Sequence, residues 1–285
     1  YAMDNIGNRT GIDSLSALGS PVTKTFDYDS NNQLTSATNP ESNTDPGRAP
    51  ASFTQETFSY DEVSNRTTDQ GGAYSFDNKK QRLQEDYRNF YVYDNNGNLT
   101  SKQKKGLNGD VTNFEYTSEN QLKAFKVFDP GFHATLPAKE VFYSYDALGR
   151  RIQKQIIDHV NTAKSFTRKY IYDGQEILAE YDGGNNLLSR YTHSGLRTDD
   201  VLSVDVTQAG VAAGLAQSSG SFQYLKDAQG TVTDIANNSG NKLQHYVYSA
   251  FGVLLGIQDL GNCQVITLVI LQKNSFWLCL FIETY

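Results

Sequence analysis

The stretch Tyr91-Val92-Tyr93-Asp94-Asn95-Asn96-Gly97-Asn98-Leu99 is the clearest copy of a phrase that recurs through this chain of 285 residues. The phrase is an aromatic residue, any residue, a second aromatic residue, Asp, two variable residues, a Gly or Asn type, an Asn or Gln type, and Leu or Arg. Seven copies lie between residues 1 and 151, and an eighth, weaker copy follows. A repeat this regular indicates an architecture built from one recurring supersecondary unit.

Each copy can be numbered from its Asp as position 0. Position −3 is aromatic in all seven copies: Tyr1, Phe26, Phe58, Tyr74, Tyr91, Phe114 and Tyr143. Position −1 is Met3, Tyr28, Tyr60, Phe76, Tyr93, Tyr116 and Tyr145, and position +5 is Arg9, Leu34, Arg66, Arg82, Leu99, Leu122 and Arg151. The Asp itself is replaced once, by Thr117.

The phrase predicts a β-hairpin. Residues −3 and −1 point to the same face of an extended chain, and Tyr and Phe favour strands. The Asp carboxylate can accept backbone N–H groups two residues on and so form an Asx-turn, and Gly or Asn at +3 tolerates a positive φ. Position +5 begins the return strand, so we expect a turn of about four to five residues in each hairpin.

Two segments need separate interpretation. Residues 77–86 are rich in helix formers, but the repeat register places Phe76-Asp77 and Arg82 in their slots. We therefore predict a hairpin there, because local helix propensity is a weak guide beside a repeat. The segment from Thr38 to Glu56 holds three of the six prolines and is expected to be an inserted surface loop.

Composition limits the possible functions. The formal net charge is −7, which disfavours a nucleic-acid partner because phosphate binding needs clustered Lys and Arg. No initiator Met or signal peptide stands at Tyr1, so we expect a fragment of a longer protein. The apolar tail 261–282 is interrupted by polar residues, and its uncharged runs are too short for a membrane helix, so no membrane span is expected.

The residues that could carry chemistry do not form a recognisable site. The turn that starts at Asp94 resembles a calcium loop, but Leu99 and Lys105 stand where Gly and Glu are required. The four His are far apart without ligand spacing, and Cys263 and Cys279 lie outside the repeats. No nucleophile elbow, phosphate loop or dinucleotide motif occurs. We predict no catalytic, cofactor-binding or metal-binding residue, no cofactor, and no enzymatic activity.

Taken together, the phrases resemble the YD repeat of the Rhs family, which also occurs in the C component of insecticidal Tc toxins and in teneurins. The block Tyr170–Asp182 resembles the end of that family's repeat array. Tyr224–Val232, Gly240-Asn241 and Tyr246–Gly252 resemble its Rhs core segment. The resemblance covers about residues 1–252, and it implies a repeat array at 1–190, a core-like segment at 191–252 and a divergent tail at 253–285.

The resemblance implies an all-β fold in which consecutive antiparallel hairpins form part of a spiralling, hollow YD-repeat shell, with an irregular C-terminal tail. Such a shell encloses a toxic C-terminal polypeptide. The family's Arg-x-Tyr-Asp-Pro ending is absent here, and a frameshift near residues 260–277 is our hypothesis for its loss. Past Asp259 no Asp remains, so aspartyl self-cleavage is not expected of this tail.

The expected function is therefore structural. We expect a shell fragment of a secreted or cell-surface toxin-delivery protein, whose partner is the enclosed toxin polypeptide. The alternative is an adhesion module in which exposed aromatic faces stack on carbohydrate. The residues expected to define the repeat structurally are Tyr28, Asp29, Tyr60, Asp61, Tyr91, Tyr93, Asp94, Gly97, Tyr145, Asp146, Gly149, Tyr172, Asp173, Asp227, Gly230, Phe251 and Gly252.

Overall fold

The computed structural model describes residues 1–15, 21–38, 55–69, 71–77, 81–106, 109–133, 135–195, 200–252 and 254–259. Nearly all regular structure in these ranges is β-strand. The described helices are a 3-10 turn, Thr162–Lys164, and one short α-helix, Gln208–Ala212 (α1). The predicted all-β class, with consecutive antiparallel hairpins, is confirmed.

The strands form three sheets in which neighbours follow chain order. The first contains Ala2–Met3 (β1), Arg9–Leu15 (β2), Pro21–Tyr28 (β3), Leu34–Thr38 (β4) and Gln55–Thr57 (β5), and a three-stranded sheet contains Ser59–Tyr60 (β6), Arg66–Asp69 (β7) and Gly72–Ala73 (β8). The 16-stranded sheet contains Ser75–Phe76 (β9), Leu83–Glu85 (β10), Asn89–Tyr93 (β11), Leu99–Lys104 (β12), Val111–Tyr116 (β13), Leu122–Phe128 (β14), Lys139–Tyr145 (β15), Arg151–Asp158 (β16), Phe166–Asp173 (β17), Glu176–Asp182 (β18), Leu187–His193 (β19), Val201–Val206 (β20), Gly220–Lys226 (β21), Val232–Asn237 (β22), Lys242–Tyr248 (β23) and Leu254–Asp259 (β24).

The phrase sets the strand limits. In all seven copies the first strand ends at position −1. The return strand begins at +5 in six of them, and in the copy of Asp77 it begins one residue later, at Leu83. The predicted hairpin at 77–86 is confirmed, because β9 pairs antiparallel with β10 through Phe76 and Leu83. At this segment the strand pairing of the repeated hairpin therefore outweighs the local helix propensity.

Burial alternates along the strands as a half-buried sheet requires. In β11, Asn89 and Tyr91 are buried while Phe90 and Val92 are exposed. The strands β13, β15 and β21 show the same alternation, and in each the residue at −3 is buried. Residues −3 and −1 therefore share the more buried face.

The described chain divides into two compact units. Unit 1 comprises Tyr1–Tyr143, Gln155–Ser165 and Val247–Gly256, and unit 2 comprises Ser144–Lys154, Phe166–Tyr246 and the segment from Ile257. The boundaries expected at residues 190 and 252 stay predictions.

Several expectations concern other parts of the chain. The expected irregular tail is wrong for residues 254–259, which form β24 beside β23. The rest of the tail with its proposed frameshift, both cysteines, and most of the loop expected between Thr38 and Glu56 lie outside the described residues. Among the residues that are described, no helix has the length and apolarity to cross a membrane.

Candidate functional site

The turn at Asp94 shows how the phrase reverses the chain. The backbone N–H of Asp94 donates to the Asn98 carbonyl at 2.9 Å, and that of Gly97 donates to the Asp94 carbonyl at 3.2 Å. The Asp94 carboxylate accepts the Asn98 backbone N–H at 2.8 Å and its side-chain Nδ2 at 2.9 Å. Five residues, Asp94–Asn98, therefore lie between β11 and β12, which confirms the expected turn of four to five residues. The left-handed residue of this turn is Gly97, with a φ of +91°.

The same turn recurs in five of the six other copies. Asp4, Asp29, Asp61 and Asp146 each accept the backbone N–H groups of positions +2 and +4 on Oδ1. Thr117, which replaces the Asp once, accepts the Gln121 N–H on its hydroxyl at 3.2 Å. Position +3 has a positive φ at Gly7, Asn32, Ser64, Gly97, Asn120 and Gly149. A side-chain acceptor at position 0 and a left-handed residue at +3 thus act together in six of the seven copies, whereas in the copy of Asp77 the left-handed residue is Gln81, at +4.

These hydrogen bonds also change the acidity of the turn carboxylates. The pKa of Asp94 lies below its usual value, first because the Asn98 side chain donates to it, with backbone N–H groups adding to the effect. The Asn65 and Asn186 side chains lower the pKa of Asp61 and Asp182 in the same way. Donors to the charged form favour it, so these carboxylates are held ionised as structural acceptors.

Four further turns of this kind follow the seven copies. They begin at Asp182, Asp227, Asn237 and Ser249, and position +3 is Asn185, Gly230, Gly240 and Gly252, each with a positive φ. The turns at Asp182 and Asn237 were not predicted, whereas Asp227, Gly230 and Gly252 were expected as repeat-defining residues. The signal was present at Tyr181-Asp182, which is followed by Asn185-Asn186-Leu187. By contrast, Asp173 pairs directly with Glu176, so Gly174 and Gln175 alone form its turn.

Tyrosine hydroxyls at position −1 connect successive copies. The Tyr28 hydroxyl donates to the Arg9 carbonyl at 3.0 Å, and the Tyr116 hydroxyl donates to the Leu99 carbonyl at 2.9 Å. Tyr60 and Tyr172 donate likewise to the carbonyls of Leu34 and Arg151, each at 2.8 Å. In every case the acceptor is residue +5 of the preceding copy. Each such Tyr therefore ties its own hairpin to the start of the previous return strand.

Side chains at +4 connect neighbouring turns. Asn8 Nδ2 donates to Asn32 Oδ1 at 3.1 Å, and Asn98 Nδ2 donates to Asn120 Oδ1 at 2.9 Å. The same Nδ2 atoms also donate to their own turn aspartates. The side-chain amide nitrogens of Asn8 and Asn98 are thus occupied in structural contacts.

Arginine at +5 packs on the rings of the repeat. The Arg9 guanidinium lies 4.7 Å from the Tyr1 ring centroid, and that of Arg82 lies 5.1 Å from the Tyr93 ring. Arg151 in unit 2 lies 5.6 Å from the Tyr170 ring. Cation–π contacts at this range account for Arg as an alternative to Leu at +5.

Unit 2 contains a buried ionic cluster around Glu180. Arg168 Nε lies 3.0 Å from Glu180 Oε1, and the Tyr191 hydroxyl donates to Glu180 Oε2 at 3.1 Å. Arg168 also donates to the Ala213 carbonyl, which caps α1, at 3.0 Å. Burial raises the pKa of the Glu180 carboxyl, and the nearby Arg168 charge opposes that rise. The cluster joins β17, β18 and β19 to α1 and leaves the carboxylate no open side for a substrate.

A second polar cluster in unit 2 joins β22 to β23. Asp234 Oδ1 lies 2.9 Å from His245 Nδ1 and 2.9 Å from Lys242 Nζ, and Asp234 is buried. Burial acts to raise the pKa of Asp234, but the hydrogen bonds from His245 and Lys242 lower it overall. An Asp–His pair is one part of a nucleophilic triad, yet here Thr233 donates to the same Asp instead of standing before the His.

The residues expected to define the repeat do not converge on one site. Tyr91, Tyr93, Asp94 and Gly97 mark one hairpin, and the others each mark a different corner of the sheets. Tyr91 is buried and its hydroxyl donates to Asp86 Oδ2 at 2.6 Å, whereas Tyr93 is half-buried. No cluster of His, Cys, Asp and Glu suited to a metal ion occurs among the described residues.

Comparisons with known proteins give a consistent but distant likeness. No family model matches the chain. It is 26% identical over 254 residues to the tRNA3(Ser)-specific nuclease WapA of Bacillus spizizenii and to the tRNA nuclease WapA of Bacillus subtilis strain 168. The match covers 88% of this chain and 7% of each relative, so the chain spans a small part of the curated relatives it matches.

Solved structures of Tc toxin components are also similar. The TcdB2-TccC3 crystal structure that lacks the hypervariable C-terminal region matches with a TM-score of 0.48 and 15% identity, over 92% of this chain and 14% of that one. The Photorhabdus luminescens Tc holotoxin pore matches with a TM-score of 0.37 and 12% identity, over 87% and 16%.

Proposed function

We propose that this chain is a wall segment of an Rhs-type shell that, in a longer secreted or surface-associated protein, encloses a toxic polypeptide until delivery. The observation that supports it most strongly is the hydrogen bond from the Tyr at −1 to the +5 carbonyl of the preceding copy. That bond joins four hairpins to the copy that precedes each of them, as neighbouring units of a continuous wall would be joined.

Two further features support a wall. The recurrent Asx-turn provides a corner at nearly every strand pair, and strands follow chain order across 16 neighbours. Hairpins that pair edge to edge leave few strand edges exposed, which suits an enclosure. The resemblance of the phrase to YD repeats and the 26% identity to WapA agree with this assignment.

We also propose that the chain is not itself an enzyme. The nuclease named in its relatives belongs to proteins of which it matches 7%, so the match gives no reason to place that activity here. The turn aspartates are occupied as backbone acceptors, and Glu180 is closed in by Arg168 and Tyr191. Neither set provides a nucleophile beside a general base.

The carbohydrate alternative needs exposed aromatic faces, and four of the seven rings at −3 do not supply them, although Tyr1 is exposed. Phe58, Tyr91, Phe114 and Tyr143 are 5% to 7% exposed, because their faces pack against neighbouring strands. Buried rings of this kind are explained by cross-strand packing. The burial therefore favours the wall over the adhesion module.

The wall is tested in the complete protein that carries this chain. We expect the polypeptide downstream of the shell to resist protease, and to become sensitive when Tyr28, Tyr60 and Tyr116 are all replaced by Phe. The replacement of Tyr93 by Phe is the control. A downstream polypeptide that is equally protease-sensitive in all these proteins would contradict enclosure. Saturable glycan binding that is lost in Tyr93→Ala, at a half-buried ring, would support adhesion instead.

A further inference from the structure

The turn Ser249–Gly252 lies beside strands that are far away in the sequence. The Gly252 backbone N–H donates to the Ser249 carbonyl at 3.0 Å, and Gly252 has a φ of +77°, so the turn is tight. Within unit 1 the Ala250 backbone N–H donates to Glu56 Oε1 at 3.0 Å, across 194 residues of sequence. The turn therefore closes a very long segment of chain.

Aromatic packing accompanies that hydrogen bond. The Phe251 ring meets the Phe58 ring edge to face, with centroids 4.8 Å apart and planes at 85°. The Arg66 guanidinium lies 4.4 Å from the Phe251 centroid and 5.7 Å from the Phe58 centroid. Phe251 keeps 49% of its surface exposed whereas Phe58 keeps 6%, so Phe251 covers Phe58 from the outside.

The residues that contact the turn, namely Glu56, Phe58 and Arg66, include a buried carboxylate. Glu56 is 2% exposed, and a buried carboxylate needs donors in place of water. A backbone N–H that donates to an ionised carboxylate makes a charge-assisted bond, which is stronger than a neutral one. The Ala250 N–H is therefore one of the donors that compensate for the burial of Glu56.

The strands that contain or follow these contacting residues in the three-stranded sheet are short. The three-stranded sheet consists of β6 with two residues, β7 with four and β8 with two. A sheet of a few strands needs an apolar face covered by other residues to be stable, and these short strands offer little such surface of their own. Loop-closure entropy grows only slowly with loop length, so a few local contacts can hold two segments this far apart in sequence.

We propose that Ser249–Gly252 is a latch, and that Glu56, Phe58 and Arg66 form its receptor on this same chain. The latch holds β6–β8 folded and completes unit 1 with a segment from the far end of the repeat region. This inference concerns the chain's own closure and does not depend on what a shell would enclose.

Hydrogen exchange on the full chain tests the latch. In Phe251→Ala, the Ala250 amide and the amides of residues 58–68 should exchange about 10-fold faster, the size expected when packing and a bond to a charged group are lost. Phe132→Ala is the matched control, because Phe132 is also a partly exposed Phe on a turn of unit 1. It should leave those amides unchanged.

The receptor side is tested with Glu56. Glu56→Ala should speed exchange at Ala250, whereas Glu56→Gln keeps a carbonyl oxygen and should retain most of the protection. The Thr231 amide, which donates to Asp227 in unit 2, reports whether each variant is folded. Unchanged exchange at Ala250 in both Phe251→Ala and Glu56→Ala, or an equal increase in Phe132→Ala, would overturn the latch.

Discussion

The Asp94 carboxylate accepts the Asn98 backbone N–H at 2.8 Å and the Asn98 side chain at 2.9 Å. One side chain thus satisfies two donors of the loop that the backbone alone would leave to water. Because both donors favour the charged form, the same geometry lowers the pKa of Asp94. At the residue scale, position 0 is a structural acceptor whose ionisation helps to hold the turn.

The lowered pKa of Asp94 predicts that the stability of the fold depends on pH. Asp94 has a lower pKa in the folded than in the unfolded chain, so its contribution to stability is present above the unfolded value of 3.8 and is lost as pH falls through the folded value. We expect Asp94→Asn to reduce the acid dependence of unfolding by urea between about pH 5 and pH 2. An acid dependence identical to that of the wild type would contradict the assignment.

Replacement of Gly97 should cost free energy through backbone conformation and not through steric conflict. Its φ is +91°, and a Cβ added there would meet nothing within 4 Å. Gly97→Ala should therefore destabilise the fold by about 1–2 kcal/mol through backbone strain alone. Gly97→Asn should cost less, because Asn32 and Asn120 occupy the same position with positive φ. Thermal unfolding of the two variants checks the order, and equal losses would contradict it.

At the element scale, the hydroxyl of Tyr116 connects two hairpins through the Leu99 carbonyl. Tyr116→Phe should lower the free energy of unfolding by about 0.5–1.5 kcal/mol, the net value of one hydrogen bond. Tyr93→Phe is the matched control: it occupies the same position of another copy, and its ring packs on Arg82. A loss in Tyr93→Phe as large as that in Tyr116→Phe would show that the hydroxyl contact does not connect the copies.

For the ion pair between β17 and β18, loss of one partner should destabilise the protein more than loss of both. Arg168→Met should destabilise the protein by about 3–5 kcal/mol, because Glu180 would remain buried without its cation. The double variant Arg168→Met with Glu180→Leu should recover much of that loss, since the carboxylate that Arg168 neutralised is removed with it. Urea unfolding of the single and double variants measures this. A double variant less stable than Arg168→Met would contradict the argument.

The sequence predicts elements better than contacts. Strand limits follow from the phrase, because a period of two and a turn residue are local properties that can be read at Tyr93, Asp94 and Gly97. The partner of Tyr116 could not be read in this way, since its acceptor is a carbonyl of another hairpin. The ion pair of Arg168 and Glu180 was also missed, because a charged residue in a strand is ordinarily read as exposed.

At the scale of the whole molecule, the negative net charge disfavours binding of tRNA, the substrate named for the WapA relatives. The chain carries 25 Lys and Arg against 32 Asp and Glu, which gives the net charge of −7. Some of the cations are also engaged: Arg168 pairs with Glu180, and Arg66 packs between rings of unit 1. A phosphate backbone requires a surface of clustered, accessible cations.

We therefore predict that the full chain does not cleave RNA. Purified chain mixed with tRNA should leave the tRNA intact over hours at physiological salt, as the heat-denatured chain does, while an unrelated ribonuclease digests it. If the chain does cleave tRNA, the Asp234–His245 pair is the candidate site to test. Cleavage by the native chain that disappears in His245→Ala but persists in His159→Ala, whose His pairs with Glu140 at the surface, would show an enzyme and contradict the purely structural assignment.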